Sequence, residues 1–164
     1  LLELGQKFPG HFVIPEGGTN ALAIQGCQEI LKEDDTQFDV ICCAAGTGGT
    51  ITGLIEASQT HQQVLGFSAL KGSFLKDEVA RLTSKTNWNI LDDYCCGGYA
   101  KTSPELMHFE SRFSIPLEQV YTAKMLMGIL DLIEKNYFPI GSRLLVIHSG
   151  GLQGRNVPFA PSQA

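Results

Sequence analysis

Two hydrophobic rhythms alternate along this chain. Asp39 to Ala45 (DVICCAA) is continuously apolar after its first residue, the pattern of a strand buried on both faces. Gln63 to Leu70, Asn87 to Leu91 and Arg143 to His148 (RLLVIH) read as further strands, the last of them buried, and Phe12 to Ile14 as a short one. Between them apolar residues recur at helical spacing. Leu22, Ile24, Cys27, Ile30 and Leu31 follow a cap at Thr19-Asn20, and Ile51, Leu54 and Ile55 form the next stripe. Helices are also expected at about 73–84 and from Ser103-Pro104, a capping hydroxyl with proline in the first turn. The strongest spans 121–137, with Met125, Leu126, Ile129, Leu130, Leu132 and Ile133 turned inward and Pro139 and Gly141 behind it. Residues 1–8 read as a helix tail closed by Pro9-Gly10. Such alternation calls for an α/β fold, a mostly parallel twisted sheet with helices on both faces, in one compact unit without repeats or linkers.

Composition narrows the field. Of the 164 residues 43% are apolar and 18% charged, which is globular rather than disordered. The net charge of −5, with no cluster of Lys or Arg, argues against a sequence-blind nucleic-acid binder. No stretch reaches the roughly 18–20 uncharged apolar residues that a bilayer crossing needs. The five cysteines include two adjacent pairs and no CxxC. Neighbours on a strand point to opposite faces, so Cys42 and Cys43 should not bridge each other; they read as small buried residues of a reduced, cytoplasmic protein. His11, His61, His108 and His148 are too scattered for a metal site.

The chemistry gathers at glycine. In ICCAAGTGGTITGLI a buried strand runs into Gly46-Thr47-Gly48-Gly49-Thr50 and then into a helix. Successive N–H groups, two hydroxyls and the positive helix end make an anion cradle there, most plausibly for phosphate. A P-loop would place a lysine after the last glycine, where Thr50 and Ile51 stand. A dinucleotide fingerprint would have glycine at position 51 and an acidic residue closing the next strand; Gly66-Phe67-Ser68-Ala69 closes it instead. A lone phosphate on a small cofactor is the better reading, with a nucleotide-binding enzyme as a weaker one. The loops at Pro15–Asn20, Cys96–Tyr99 and His148–Gly151 should reach the same sheet edge, with Tyr121 near it, as a pocket for a flat polar cofactor.

The strings IPEGGTN, AAGTGGT, CGGYAK, VYTAKMLMGILDLI and IHSGGLQG resemble the fold-type II pyridoxal-phosphate enzymes. Within them the closest branch is that of 1-aminocyclopropane-1-carboxylate deaminase and D-cysteine desulfhydrase. The resemblance runs from about residue 11 to residue 154. The GTGGT loop is shared widely in fold type II, whereas VYTAK followed by HSGG narrows the match to this branch.

The resemblance implies the large domain of the tryptophan synthase β-like fold, with pyridoxal 5'-phosphate as cofactor and a small amino acid as substrate. Gly46, Thr47, Gly48, Gly49 and Thr50 would hold its phosphate, and Ser149 would face the pyridine nitrogen. Tyr99 and Tyr121 match two active-site tyrosines on the substrate side. The deaminase proper carries a glutamate directly after the residue matching Tyr121, where this chain has Thr122. A neutral partner at the ring nitrogen makes a shallower electron sink than a carboxylate does. That tilts the expectation towards D-cysteine desulfhydrase-like β-elimination, yielding pyruvate, ammonia and sulfide, with 1-aminocyclopropane-1-carboxylate deamination as the alternative. In this family the Schiff-base lysine lies on an N-terminal motif that this sequence lacks. The chain, starting Leu-Leu-Glu-Leu, therefore reads as the C-terminal part of a longer enzyme, without the small domain and inactive by itself. The rival of another class is a non-catalytic phosphate-ligand binding module. Fold-type II enzymes are commonly homodimers.

Overall fold

The computed structural model describes residues 2–110 and 112–155. Four strands, β1 (Val40–Ala45), β2 (Gln63–Ser68), β3 (Trp88–Leu91) and β4 (Leu144–Ile147), form one parallel sheet in the order β3-β2-β1-β4. Among the described residues six α-helices accompany them: α1 (Leu2–Lys7), α2 (Ala21–Gln28), α3 (Gly49–Ala57), α4 (Phe74–Leu82), α5 (Pro104–Glu110) and α6 (Thr122–Glu134).

The side-chain alternation of β1 sorts the core into two layers. Ile41, Cys43 and Ala45 pack with Ile51, Leu54 and Ile55 of α3 and with Leu75 and Val79 of α4. Val40, Cys42 and Ala44 face the other way, onto Met125, Ile129 and Leu132 of α6. Cys42 and Cys43 thus lie on opposite faces, and no disulfide joins the described cysteines. Every residue of β1 is buried. Full burial of Val40 and Ile41 contributes about 1.5–3 kcal/mol each, and β1 pairs on both sides, with β2 and β4.

The helix ends follow their local chemistry. Asn20 caps α2 by accepting from the Ala23 amide at 3.0 Å, and Ser103 Oγ accepts from the Leu106 amide at the start of α5. At the far end of α3, the Lys85 ammonium donates to the carbonyls of Ile55, Glu56 and Ser58 at 2.7–3.0 Å. A cation there satisfies orphan carbonyls and opposes the negative helix end.

Three expectations need correction. Phe12 to Ile14 is not a strand: Phe12 is 77% and Ile14 71% exposed, and neither has a sheet neighbour to supply hydrogen bonds. The strand expected at Arg143–His148 is shorter and lies at the sheet's edge, pairing only with β1, so Val146 stays exposed. Ile133, expected inward, lies 50% exposed near the end of α6, because the sheet contact follows Met125, Ile129 and Leu132.

Helices α2 and α3 meet at Gly53. A Cβ there would come within 2.8 Å of the Ile24 carbonyl oxygen and closer still to the Cys27 side chain. Gly53→Ala gains up to about 1 kcal/mol of helix propensity but forces two backbones apart, a strain of about 1–3 kcal/mol. We expect a net loss of about 1–2 kcal/mol, read as a lowered urea midpoint at unchanged slope; an unchanged or raised midpoint would contradict the packing described.

Candidate functional site

The sheet changes winding direction between β1 and β4. From β1 the chain steps to β2 and β3 on one side, then returns through α5 and α6 to β4 on the other. Right-handed crossovers leading in opposite directions place their helices on opposite faces, so the connections part at the carboxyl ends of β1 and β4. A cleft of about 360 Å³ opens there. Gly46 to Thr50 lines one wall, Gly17 to Thr19 another, and Tyr121 and Ser149 complete the rim.

The 46–50 loop presents its backbone to this cleft. Gly48 has φ +95°, a left-handed conformation that a side chain resists, and it occupies the N-cap of α3 without a side-chain cap. The first closed turn is the Thr52 amide donating to the Gly48 carbonyl at 3.0 Å. The amides of Gly49, Thr50 and Ile51 therefore precede any intrahelical acceptor and point out of the positive end of α3. Thr19 and Thr47 join their hydroxyls at 2.7 Å across the cleft's narrow side. The result is a pocket of N–H and O–H donors with neither carboxylate nor lysine among its lining residues, suited to an anion.

Tyr121 stands at the N-terminus of α6, its ring against Gly46, where a Cβ would lie 3.3 Å from the phenol oxygen. A buried carboxylate fixes it there. Glu118 accepts the amides of Val120, Tyr121 and Thr122 at 2.6–2.7 Å, capping the helix with its own charge. Thr122, fully buried, turns its hydroxyl back to the Glu118 backbone amide at 2.9 Å and away from the cleft. Burial, followed by the hydrogen bond and charge of Tyr99, pushes the Tyr121 phenol up to about 12, so it is neutral throughout the physiological range. The Tyr99 ring meets that of Tyr121 edge to face, with centroids 6.1 Å apart, and is itself 56% exposed.

Ser149 follows β4. The β1–β4 register pairs Cys43 with Ile147, and Ser149 lies two residues further on, as Ala45 does beyond Cys43. The His148 ring steadies this turn: its Nε2 lies 2.8 Å from the Pro116 carbonyl, and its Nδ1 accepts from the Gly150 amide at 3.2 Å.

The structure thus gathers Gly46, Thr47, Gly48, Gly49, Thr50, Tyr121 and Ser149 around one cleft and sets Tyr99 against Tyr121, outside the lining itself. Sequence reasoning named Thr19 and Cys27 only as a helix cap and a helical stripe, and did not assign them or Glu118 a place at the site. Thr19 was legible as part of a glycine loop reaching the same edge. Glu118 gave weak notice of its capping role, because glutamate is not a favoured N-cap residue. Among the described residues no group of three His, Cys, Asp or Glu could hold a metal ion, and no helix is long and apolar enough to cross a membrane.

Comparison with known proteins places this geometry in context. No family model matches the chain. A Thermotoga maritima protein provisionally named 1-aminocyclopropane-1-carboxylate deaminase is 34% identical, over 87% of this chain and 52% of its own length. A Pyrococcus horikoshii protein with the same provisional name is 30% identical, over 93% and 53%. D-cysteine desulfhydrase of Klebsiella pneumoniae is 27% identical, over 85% and 50%. A solved structure of a 1-aminocyclopropane-1-carboxylate deaminase homologue superposes with a TM-score of 0.80 at 27% identity, covering 93% of this chain and 53% of its own. The chain spans about half the length of the curated relatives it matches.

The tyrosine pair offers a direct check. In Tyr99→Phe the phenolic partner of Tyr121 is gone while its burial remains, so the Tyr121 midpoint should fall from about 12 only part of the way towards the ordinary value of 10. A phenol whose folded value is raised contributes stability that is lost as pH climbs from about 10 to about 12, and that window should narrow in the variant. Titration of ¹³C-labelled tyrosine rings reads each midpoint separately; no change at Tyr121 would contradict the contact.

Proposed function

This chain is homologous over most of its length to proteins named for 1-aminocyclopropane-1-carboxylate deaminase and D-cysteine desulfhydrase, and we propose that it forms the pyridoxal 5'-phosphate-binding part of an enzyme that deaminates a small amino acid. The observation that carries the reading is the cleft at the switch point, which the N-terminal turn of α3 lines together with Thr47 and Thr50. When bound, the pyridoxal ring supplies an electron sink for carbanion chemistry at the substrate's α-carbon. In this reading Gly46 to Thr50 hold the phosphate, and Ser149 offers a neutral hydroxyl to the ring nitrogen. Tyr121, in the cleft lining, and Tyr99, packed against it, orient the substrate, with the Tyr121 phenol keeping its proton at working pH.

The Schiff-base lysine is not assigned to this chain. None of the residues lining the cleft is a lysine, and the amine of Lys124, close in sequence, donates to the carbonyls of Cys95 and Gly98 at 2.8 and 2.9 Å. Turnover accordingly belongs to the whole protein in which this sequence works with such a lysine.

For the substrate, β-elimination from D-cysteine is the reading we favour. Among the described residues only uncharged groups line the cleft: Thr122 is occupied at the start of α6, and Glu118 is spent on three amides. A hydroxyl opposite the ring nitrogen suits elimination of a good leaving group better than it suits cyclopropane opening, which asks more of the electron sink. Against this stands the higher identity to the two relatives provisionally named for the cyclopropane substrate, so 1-aminocyclopropane-1-carboxylate deamination is the second reading.

Two measurements test these roles. Titration calorimetry should show pyridoxal 5'-phosphate binding this chain, competed by inorganic phosphate, and Gly48→Val, which loads a β-branched residue onto a left-handed φ, should weaken it about tenfold or more. Binding that inorganic phosphate does not compete would overturn the phosphate assignment. Steady-state assays on the whole protein should release sulfide from D-cysteine faster than ammonia from 1-aminocyclopropane-1-carboxylate; the opposite order would favour the second reading.

A further inference from the structure

The segment between β3 and α5 is held in an unusual way. Cys96 has φ +53°, Gly97 φ +89°, Gly98 φ +134° and Ala100 φ +53°, so two residues with side chains adopt the left-handed region within five positions. Such strain persists only where the surroundings over-determine it. Tyr99 lies in the middle of this run.

What over-determines it is a buried ammonium. Lys124 is 2% exposed, among the most completely buried of the large side chains. Its Nζ donates to the carbonyls of Cys95, just before the run, and of Gly98, within it. Both carbonyls also close tight turns, the Gly98 amide donating to Cys95 and the Lys101 amide to Gly98 at 3.0 and 3.2 Å. Removing a buried cation's partners, or the cation itself, leaves strong polar groups unsatisfied. Lys124 sits three residues after Tyr121, in the first turns of α6. A single side chain therefore ties the helix that starts at Tyr121 to the loop that carries Tyr99.

We infer that Lys124 is a positioning residue for the tyrosine pair: by bridging the carbonyls of Cys95 and Gly98 to α6, it holds the Tyr99 ring against Tyr121 at the mouth of the cleft. Burial lowers the amine from the ordinary lysine range, a shift that the groups facing it, Cys96 and Cys95 on the loop and Glu118 before the helix, only partly oppose. Lys124 itself is not among the residues described as lining the cleft. The inference deepens the reading of Tyr99 and Tyr121 as substrate-side groups, yet it concerns the apposition of two rings and needs neither coenzyme nor turnover.

The test is therefore made on the chain without ligand. In wild type, NOE cross-peaks should connect the rings of Tyr99 and Tyr121, and a second ring pair, Phe67 and Tyr94 with centroids 5.9 Å apart, should report the intact sheet and α6. In Lys124→Met, of similar length but without donors, the Tyr99–Tyr121 cross-peaks should disappear or fall at least fivefold while those of Phe67–Tyr94 persist. Lys124→Gln, which keeps one amide donor group on a shorter stem, should retain an intermediate intensity. Undiminished Tyr99–Tyr121 cross-peaks in a folded Lys124→Met protein would overturn the inference. Loss of both ring pairs in both variants would overturn it too, making Lys124 a general requirement for folding. Failure of pyridoxal 5'-phosphate to bind would leave this result standing and remove only the cofactor reading.

Discussion

Six consecutive residues of β1 lie between two helical layers, and the chain leaving that strand has no water-facing side until it reaches the sheet's edge. Burial of that kind fixes the strand's end within narrow limits, because any slip by one residue would exchange its two apolar faces. The loop that follows must reverse direction at once so that Ile51, Leu54 and Ile55 can return to the same layer as Ile41 and Cys43. Gly48 makes that reversal with a left-handed φ, and the amides behind it are left pointing outward. An anion seat is thus a by-product of packing a doubly buried strand against its own crossover helix.

The opposite layer is organised by two buried ionisable side chains at the start of α6. Glu118 caps the helix from outside and sets Tyr121; Lys124 reaches from inside the helix to the 95–98 carbonyls. Each is satisfied by backbone groups, which is how a charge can be buried while retaining hydrogen bonds. The 46–50 loop and the tyrosine pair beside it therefore have different origins, one set by sheet packing and the other by a polar network.

Much of this was legible in the sequence. The unbroken run DVICCAA, the glycine loop after it and the helical stripe behind announced strand, cradle and crossover, since burial on both faces leaves so plain an apolar signal. Convergence of Ser149 and Tyr121 on that loop followed from parallel topology, which brings all strand ends to one edge. Illegible were the features that depend on partners. Phe12 to Ile14 carries a strand-like pattern but has no neighbour to pair with, and β4 looked central by composition while standing at the edge. Glu118 and Lys124 resemble ordinary helix-flanking charges until tertiary contacts show where their atoms go. A polar residue's role is set by what lies within hydrogen-bonding reach, and no periodicity encodes that.

The central claim, that the leading amides of α3 seat a phosphate, is tested most directly by titrating inorganic phosphate into ¹⁵N-labelled protein and following every backbone amide. The account predicts that the amides of Gly48, Gly49, Thr50 and Ile51 move most and share one saturating isotherm. Unmoved amides at 48–51, or the largest shifts at a surface away from the β1–β4 switch point, would contradict it.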